Sequence, residues 1–225
     1  MTEKQQMKLY LLMQNNGDLA KAREAYEFVM NEEAEPQQAS LVPNPQKDGV
    51  YLVYNDGREE FFTGANSKDN VIGISVRVGE RHVILALHDV VKINNCTYPL
   101  LPTSDNDTDD DRANFKDERY KAYSDLDGKE NTDRLVARGS RIPLKENEYI
   151  PALGEWLIFF QNLAMVQDAL EYVDGDLLKD AYYWSSTEYS SSNAWVVNAT
   201  AGYIYNGYGK TSTCRVRPCL SCEAI

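Results

Sequence analysis

Apolar positions recur along this chain with two different periods, and the switches between them mark out its elements. Near the start, Leu9, Leu12 and Met13 make one stripe at helical spacing, and Ala22, Ala25, Tyr26 and Val29 make another, predicting two short helices within 1–31. Asn15-Asn16-Gly17-Asp18 separates them, with Gly17 suited to end one helix and Asp18 to cap the next. Acidic residues with Pro36, Pro43 and Pro45 make 32–48 a linker. From Gly49 the period shortens. Val50-Tyr51-Leu52-Val53-Tyr54 predicts a strand, Asn55-Asp56-Gly57 a turn, and 71–78 and 82–87 two further strands joined at Gly79-Glu80. Helical spacing returns behind Pro151 at Leu153, Trp156, Leu157, Phe160, Leu163 and Ala164, then runs through Val166, Leu170 and Val173 as one continuous helix stopping at Asp174-Gly175. Beyond it, Val196-Val197, 203–205 and 214–217 have the β-branched and aromatic content of strands, with Asn206-Gly207 reading as a tight hairpin turn.

The expected fold class is α+β: a small helical element at 1–31, a linker, and a main domain over 49–225. That domain carries an acidic insertion near 99–123. Within it, 182–218 combines an aromatic run, a Ser/Thr/Asn-rich loop and short apolar strands, with few charges. Rigid, amphipathic tyrosines beside small polar side chains are the palette of a binding surface. The expected face comprises Tyr189, Ser190, Ser191, Ser192, Asn193, Thr200, Tyr203, Tyr205, Asn206, Tyr208 and Thr211. Strand alternation requires about half of them to point inward. Trp184 and Trp195 are expected in the core, and Arg215 and Arg217 beside carboxylates.

Charge and length narrow the classes. The chain has 225 residues, enough for one core plus an appendage, and a formal net charge of −12, which argues against a nucleic-acid groove. No run has the length of a membrane span, and the polar start Met1-Thr2-Glu3-Lys4-Gln5-Gln6 shows no export signal; the cytoplasm, or a virion assembled there, is the expected location. In that setting Cys96, Cys214, Cys219 and Cys222 are expected as free thiols.

Candidate chemistry is sparse. His82 and His88, the two histidines, lack a partner at metal-ligand spacing and read as structural. Asp107, Asp109, Asp111 and Glu118 fall at calcium-loop spacing, but Arg112 stands where the turn needs glycine, so the segment reads as a solvated acidic loop. Asp127-Gly128 reads as a turn and Asn131 or Thr132 as the cap of a helix. Glu155 is placed to satisfy backbone donors at a helix start, where its charge is favoured. The Cys219-Leu220-Ser221-Cys222 spacing lacks a redox or zinc context, and no nucleophile, base or phosphate loop assembles. No catalysis, no cofactor and no metal are expected.

The runs Trp184-Ser185-Ser186-Thr187-Glu188-Tyr189, Asn193-Ala194-Trp195 and Arg215-Val216-Arg217-Pro218 resemble the C-terminal signature of C-type-lectin-like domains of gut bacteria and their phages. The Asp127-Gly128…Asn131-Thr132 segment and the Pro151-Ala152-Leu153-Gly154-Glu155 helix start are also similar to that family, and most of 49–218 can be laid on it. The family is similar in fold to the formylglycine-generating enzymes and to the phage major tropism determinant, and includes variable proteins of diversity-generating retroelements. The resemblance implies recognition without catalysis: a phage tail, fibre or capsid-decorating protein that meets a host-surface protein or glycan. The N-terminal helices would join it to other virion proteins or make a homo-oligomer. A bacterial retroelement-diversified interaction protein, a purely structural virion protein and a formylglycine-generating-type oxidase are the alternatives. The Glu-Pro-Asn sugar-binding motif of calcium-dependent lectins is absent.

Overall fold

The computed structural model describes residues 47–90, 97–103 and 112–221, so the N-terminal helices, nearly all of the linker, the aspartates of the calcium-loop reading, Cys96 and Cys222 lie outside the described residues. The strand pattern that begins at Gly49 builds β1 (Gly49–Tyr54), β2 (Glu59–Phe61), β3 (Val71–Val78) and β4 (Arg81–Ala86), all paired antiparallel, with β1 lying between β2 and β3. Gly57, at φ 82°, supplies the left-handed backbone in the turn after β1. A short strand β5 (Thr97–Pro99) follows, then helices α1 (Arg119–Tyr123) and α2 (Gly128–Ala137), and β6 (Glu148–Tyr149).

The helix expected from Leu153 is two helices, α3 (Leu153–Gln161) and α4 (Leu163–Tyr172), broken at Asn162 with φ −127° and ψ 23°. Apolar periodicity continues across the break, which is why the pattern alone reads through it. The stop at Asp174-Gly175 is a two-bond C-terminal cap: the Gly175 N–H donates to Leu170 O at 2.8 Å and the Asp174 N–H to Glu171 O at 3.2 Å. Asp174, not glycine, holds the left-handed position at φ 58°.

The C-terminal third supplies β7 (Tyr182–Glu188), β8 (Asn193–Asn198), β9 (Tyr203–Gly209), β10 (Thr213–Arg215) and β11 (Cys219–Leu220). Two sheets result. The first has the order β2-β1-β3-β4-β11-β6 and the second β5-β10-β7-β8-β9. With helices and two sheets, the fold is α+β. Cys219 pairs with Leu85 and Tyr149 inside the first sheet.

One core lies between the sheets: Leu52, Ile74 and Leu85 from the first meet Tyr183, Trp195 and Val197 from the second, with Trp156 and Phe159 of α3 among them. A second core covers the opposite face of the second sheet, where Trp184, Val196 and Cys214 pack with Leu135 of α2 and Ile150. Trp184 and Trp195, both at most 1% exposed, are anchored by indole hydrogen bonds, Trp184 to Tyr98 O at 2.6 Å and Trp195 to Lys116 O at 2.8 Å. The second sheet is thus held from both sides.

Arg217 stitches the crossing from β10 to β11. Its Nε donates to Asp89 Oδ1 at 2.7 Å and its Nη2 to Asp176 O at 2.7 Å, while Arg215 reaches Asp89 Oδ2 at 3.0 Å. Both arginines therefore meet a carboxylate, and a buried guanidinium so paired avoids the penalty of a lone buried charge.

Candidate binding face

The expected turn at Asn206-Gly207 is a bulge inside β9. Across β8 and β9 the partners run Asn198↔Tyr203, Val197↔Ile204 and Val196↔Tyr205, then shift to Ala194↔Tyr208 and Asn193↔Gly209. Two residues, Asn206 and Gly207, thus oppose Trp195 alone. The real turns are 199–202, where Gly202 takes φ 68°, and 210–212. Asn198 organises the first by accepting the N–H groups of Thr200 and Ala201 on Oδ1 at 3.2 and 3.1 Å.

The extra residue decides which tyrosines share a face. In a regular strand Tyr203 and Tyr205 would lie on one side and Tyr208 on the other. The bulge restores Tyr208 to the Tyr203 side. Tyr182 joins them through the row Tyr182↔Asn198↔Tyr203. Four tyrosines from two strands therefore project from one face. Tyr203 is 69% exposed, Tyr205 49% and Tyr182 39%. Tyr208 is half-buried, its ring 5.6 Å from those of both Tyr182 and Trp184. Gly207 has no side chain where the Tyr205 phenol lies, so Tyr205 can lay its ring along the strand.

Other expected positions divide by location. Ser191, Ser192 and Thr211 are exposed on the loops at the Tyr208 end, and Thr200 is exposed on the turn at the Tyr203 end. Asn193 and Asn206 are half-buried, as is Ser190, whose Oγ accepts the Asn193 N–H at 3.2 Å. Tyr189 belongs to the inner side: its ring packs edge-on against Trp195 at 5.8 Å. Sequence reasoning left out Tyr182, whose membership shows only once strand register is known.

Beneath the face, the polar run 185–188 is the buried end of β7. Glu188 takes two contacts from Arg138 Nη1, at 2.8 and 2.7 Å, and an ion pair from the fully buried Lys210. Lys210 also donates from Nζ to Ser191 O at 2.9 Å and from its backbone to Ser192 O at 2.8 Å, with its cation 5.0 Å from the Phe115 ring. This knot ties both loops at the Tyr208 end to the sheet. Thr187 reaches the opposite way, accepting the Leu153 N–H at 2.8 Å and donating to Asp125 Oδ2 at 2.7 Å.

Asp125 draws the two motifs expected as turn and helix start into one buried centre. Asn131 Nδ2 donates to it at 3.0 Å, and Gly154 N–H to its carbonyl at 2.9 Å. Asn131 and Thr132 are not caps. They sit one turn inside α2, which starts at Gly128, and Thr132 bonds Gly128 O and the Ile150 N–H. Glu155 does accept a helix-start N–H, from Ala152 at 2.7 Å. Its charge is not favoured, however: burial pushes its carboxyl up to about 8, against the lowering effect of that bond and of Tyr149 Oη at 2.9 Å.

The remaining candidates are dispersed. Cys214 and Cys219 are buried in different cores. Burial pushes the Cys214 thiol up to about 12, partly offset by its hydrogen bond with Tyr208. His82 Nε2 lies 2.9 Å from Glu59 and 2.8 Å from Ser75, and His88 Nδ1 lies 3.4 Å from Asp176. Among the described residues, no group of three or more His, Cys, Asp or Glu could hold a metal, and no helix is long and apolar enough to cross a membrane.

No protein-family model matches the chain, and no curated relative is detected. Among solved structures, a fimbrial protein from Bacteroides ovatus is similar at 19% identity and a TM-score of 0.44 over 78% of this chain. The chain spans about half, 49%, of that protein's structure.

Proposed function

We propose that this chain is a C-type-lectin-like recognition protein that grips a ligand through the tyrosine face of β7 and β9 and performs no chemistry. The observation that carries the reading is the gathering of Tyr182, Tyr203, Tyr205 and Tyr208 on one face of a sheet fixed by cores on both sides. Rigid aromatic contact area on a scaffold that does not depend on it is what binding requires. The C-type-lectin-like fold is supported by the Trp184–Tyr189 and Arg215–Pro218 runs, whose side chains cap α3, hold the loops and join the sheets. By the same resemblance the protein is a phage virion component that meets its host, joined to other virion proteins or to its own copies through 1–31.

Fluorescent protein titrated onto a panel of bacterial strains tests the face. Wild type should label at least one strain, and the Tyr203→Ala/Tyr205→Ala double variant should not. Retained labelling by a folded double variant would place the site elsewhere. Tyr208 is a poor target because it packs on Trp184. Immunogold on phage particles tests the virion assignment, and label confined to the cell interior would remove it.

A second reading, a structural subunit whose tyrosines pack on a neighbour, is favoured by one observation. β9 is the last strand of its sheet, and among the described residues the backbone of 203–208 makes no bond on its outer side. A particle structure would show that face covered or open.

A further inference from the structure

The second sheet ends at β9, laddered to β8 on its inner side from Tyr203 to Gly209 and, among the described residues, bonded to nothing along the outer side of 203–208. Soluble proteins guard such an edge with a lysine, a proline, an inward-pointing charge, a bulge or a covering element. The sequence of β9, Tyr-Ile-Tyr-Asn-Gly-Tyr-Gly, supplies no charge and no proline. Its one guard is the bulge at Asn206-Gly207, which leaves 203–205 straight and regularly paired with β8. Lys210 lies beyond the bulge, buried against Glu188. At the Tyr203 end, Lys179 and Asp180 belong to the segment leading into β7, two strands in from the edge, where Asp180 Oδ1 accepts the Asn198 amide at 2.8 Å. In the straight stretch Tyr203 and Tyr205 stand exposed on one side, and Ile204 on the other packs against the core between the sheets.

From this we infer that the β9 edge pairs antiparallel with the β9 edge of a second copy, about a two-fold axis at Ile204. The triplet Tyr203-Ile204-Tyr205 reads the same in both directions, so it complements itself. About that axis Tyr203 of each copy falls opposite Tyr205 of the other on the exposed side, and the two Ile204 side chains meet on the inner side. Cross-strand aromatic pairs of this kind attract, no like charges face each other, and the outward N–H and C=O groups gain partners. A second copy is favoured over an unrelated strand because only a copy brings this symmetry with it. Three residues a side bury less than the roughly 1,000 Å² of a stable interface, so the pair is weak and forms where copies are crowded. It joins the two five-stranded sheets into one and runs the tyrosine rows of both copies together. The inference rests on the strand edge and stands apart from what the tyrosine face binds.

Amide hydrogen exchange of the full-length protein at about 10 μM and about 1 mM tests the inference, read by mass spectrometry on peptides covering 203–205. Exchange there should slow at least about three-fold at the higher concentration, while 182–188 inside the sheet stays unchanged. Tyr203→Lys/Tyr205→Lys sets like charges opposite each other in the paired register, and so does Tyr203→Glu/Tyr205→Glu; each alone should lose the concentration dependence. An equal mixture of the two sets lysine opposite glutamate and should restore it. Both positions are exposed, so the variants should keep the wild-type melting temperature. Exchange at 203–205 that ignores concentration, protection that survives in the lysine variant, or a mixture no better protected than its parts would each overturn the inference. Self-association that leaves 203–205 unprotected would put the contact elsewhere, residues 1–31 included, and overturn it as well. Cell labelling reads the tyrosine face and not the edge, so either reading can fail while the other stands.

Discussion

Replacing Glu155 by glutamine isolates one buried proton. The carboxyl is 4% exposed at the start of α3, with Ala152 N–H on one oxygen and Tyr149 Oη on the other. Its pKa is raised from 4.5 to about 8, chiefly by burial, with Asp125 and Asp127 adding repulsion. A group that holds its proton more tightly folded than unfolded stabilises fully below the unfolded value, and that contribution is lost as pH rises through the folded one. Wild type should therefore weaken steadily between about pH 4.5 and pH 8. At about 1.4 kcal/mol per pH unit the limit is of order 5 kcal/mol, and relaxation around the site will reduce it. Glutamine keeps an oxygen for Ala152 and an amide for Tyr149 but carries no titrating proton. Urea unfolding of both proteins at pH 5, 7 and 9 gives the comparison, since other titrating groups cancel in the difference. Glu155→Gln should gain on wild type by about 2 kcal/mol or more between pH 5 and pH 9. Parallel stability curves for the two proteins would show that Glu155 is ionised when folded, and the reasoning would fail.

Gly128→Ala should destabilise by about 2 kcal/mol or more in urea, opposite to the roughly 1 kcal/mol gain of propensity in a helix, because the added methyl falls on Glu155 Oε2. Lys210→Met should cost about 2–4 kcal/mol and speed amide hydrogen exchange at 191–193, whose loop it tethers. Cys214, buried with its thiol pushed up to about 12, should resist alkylation at pH 8 and become reactive in Tyr208→Ala, as read by mass spectrometry of the Cys214 peptide.

Much of the fold was written in period. Strands β1, β3 and β4, the α3 start at Leu153 and the stop at Asp174 follow from apolar spacing and turn chemistry, and Trp184 and Trp195 went where their bulk demanded. What spacing did not disclose is long-range. Asn162 breaks a helix whose apolar stripe runs on, and Asn206-Gly207, the strongest local hairpin signal, yields to the β8 ladder and becomes a bulge. Parity counted along β9 would have split the tyrosines between two faces. The buried knots resist sequence reading for another reason: Lys210, Glu188 and Arg138 come from three separate stretches of the chain, and nothing in a lone lysine says that a carboxylate waits for it in the interior.

The rungs that join β9 to β8 run crosswise to the strand, as in any such ladder. A tether tugging the tyrosines sideways would peel them one after another from a free end, whereas a pull along the strand axis would load them all together. Were a ligand held on this face, the angle of its pull would therefore set how long the hold lasts.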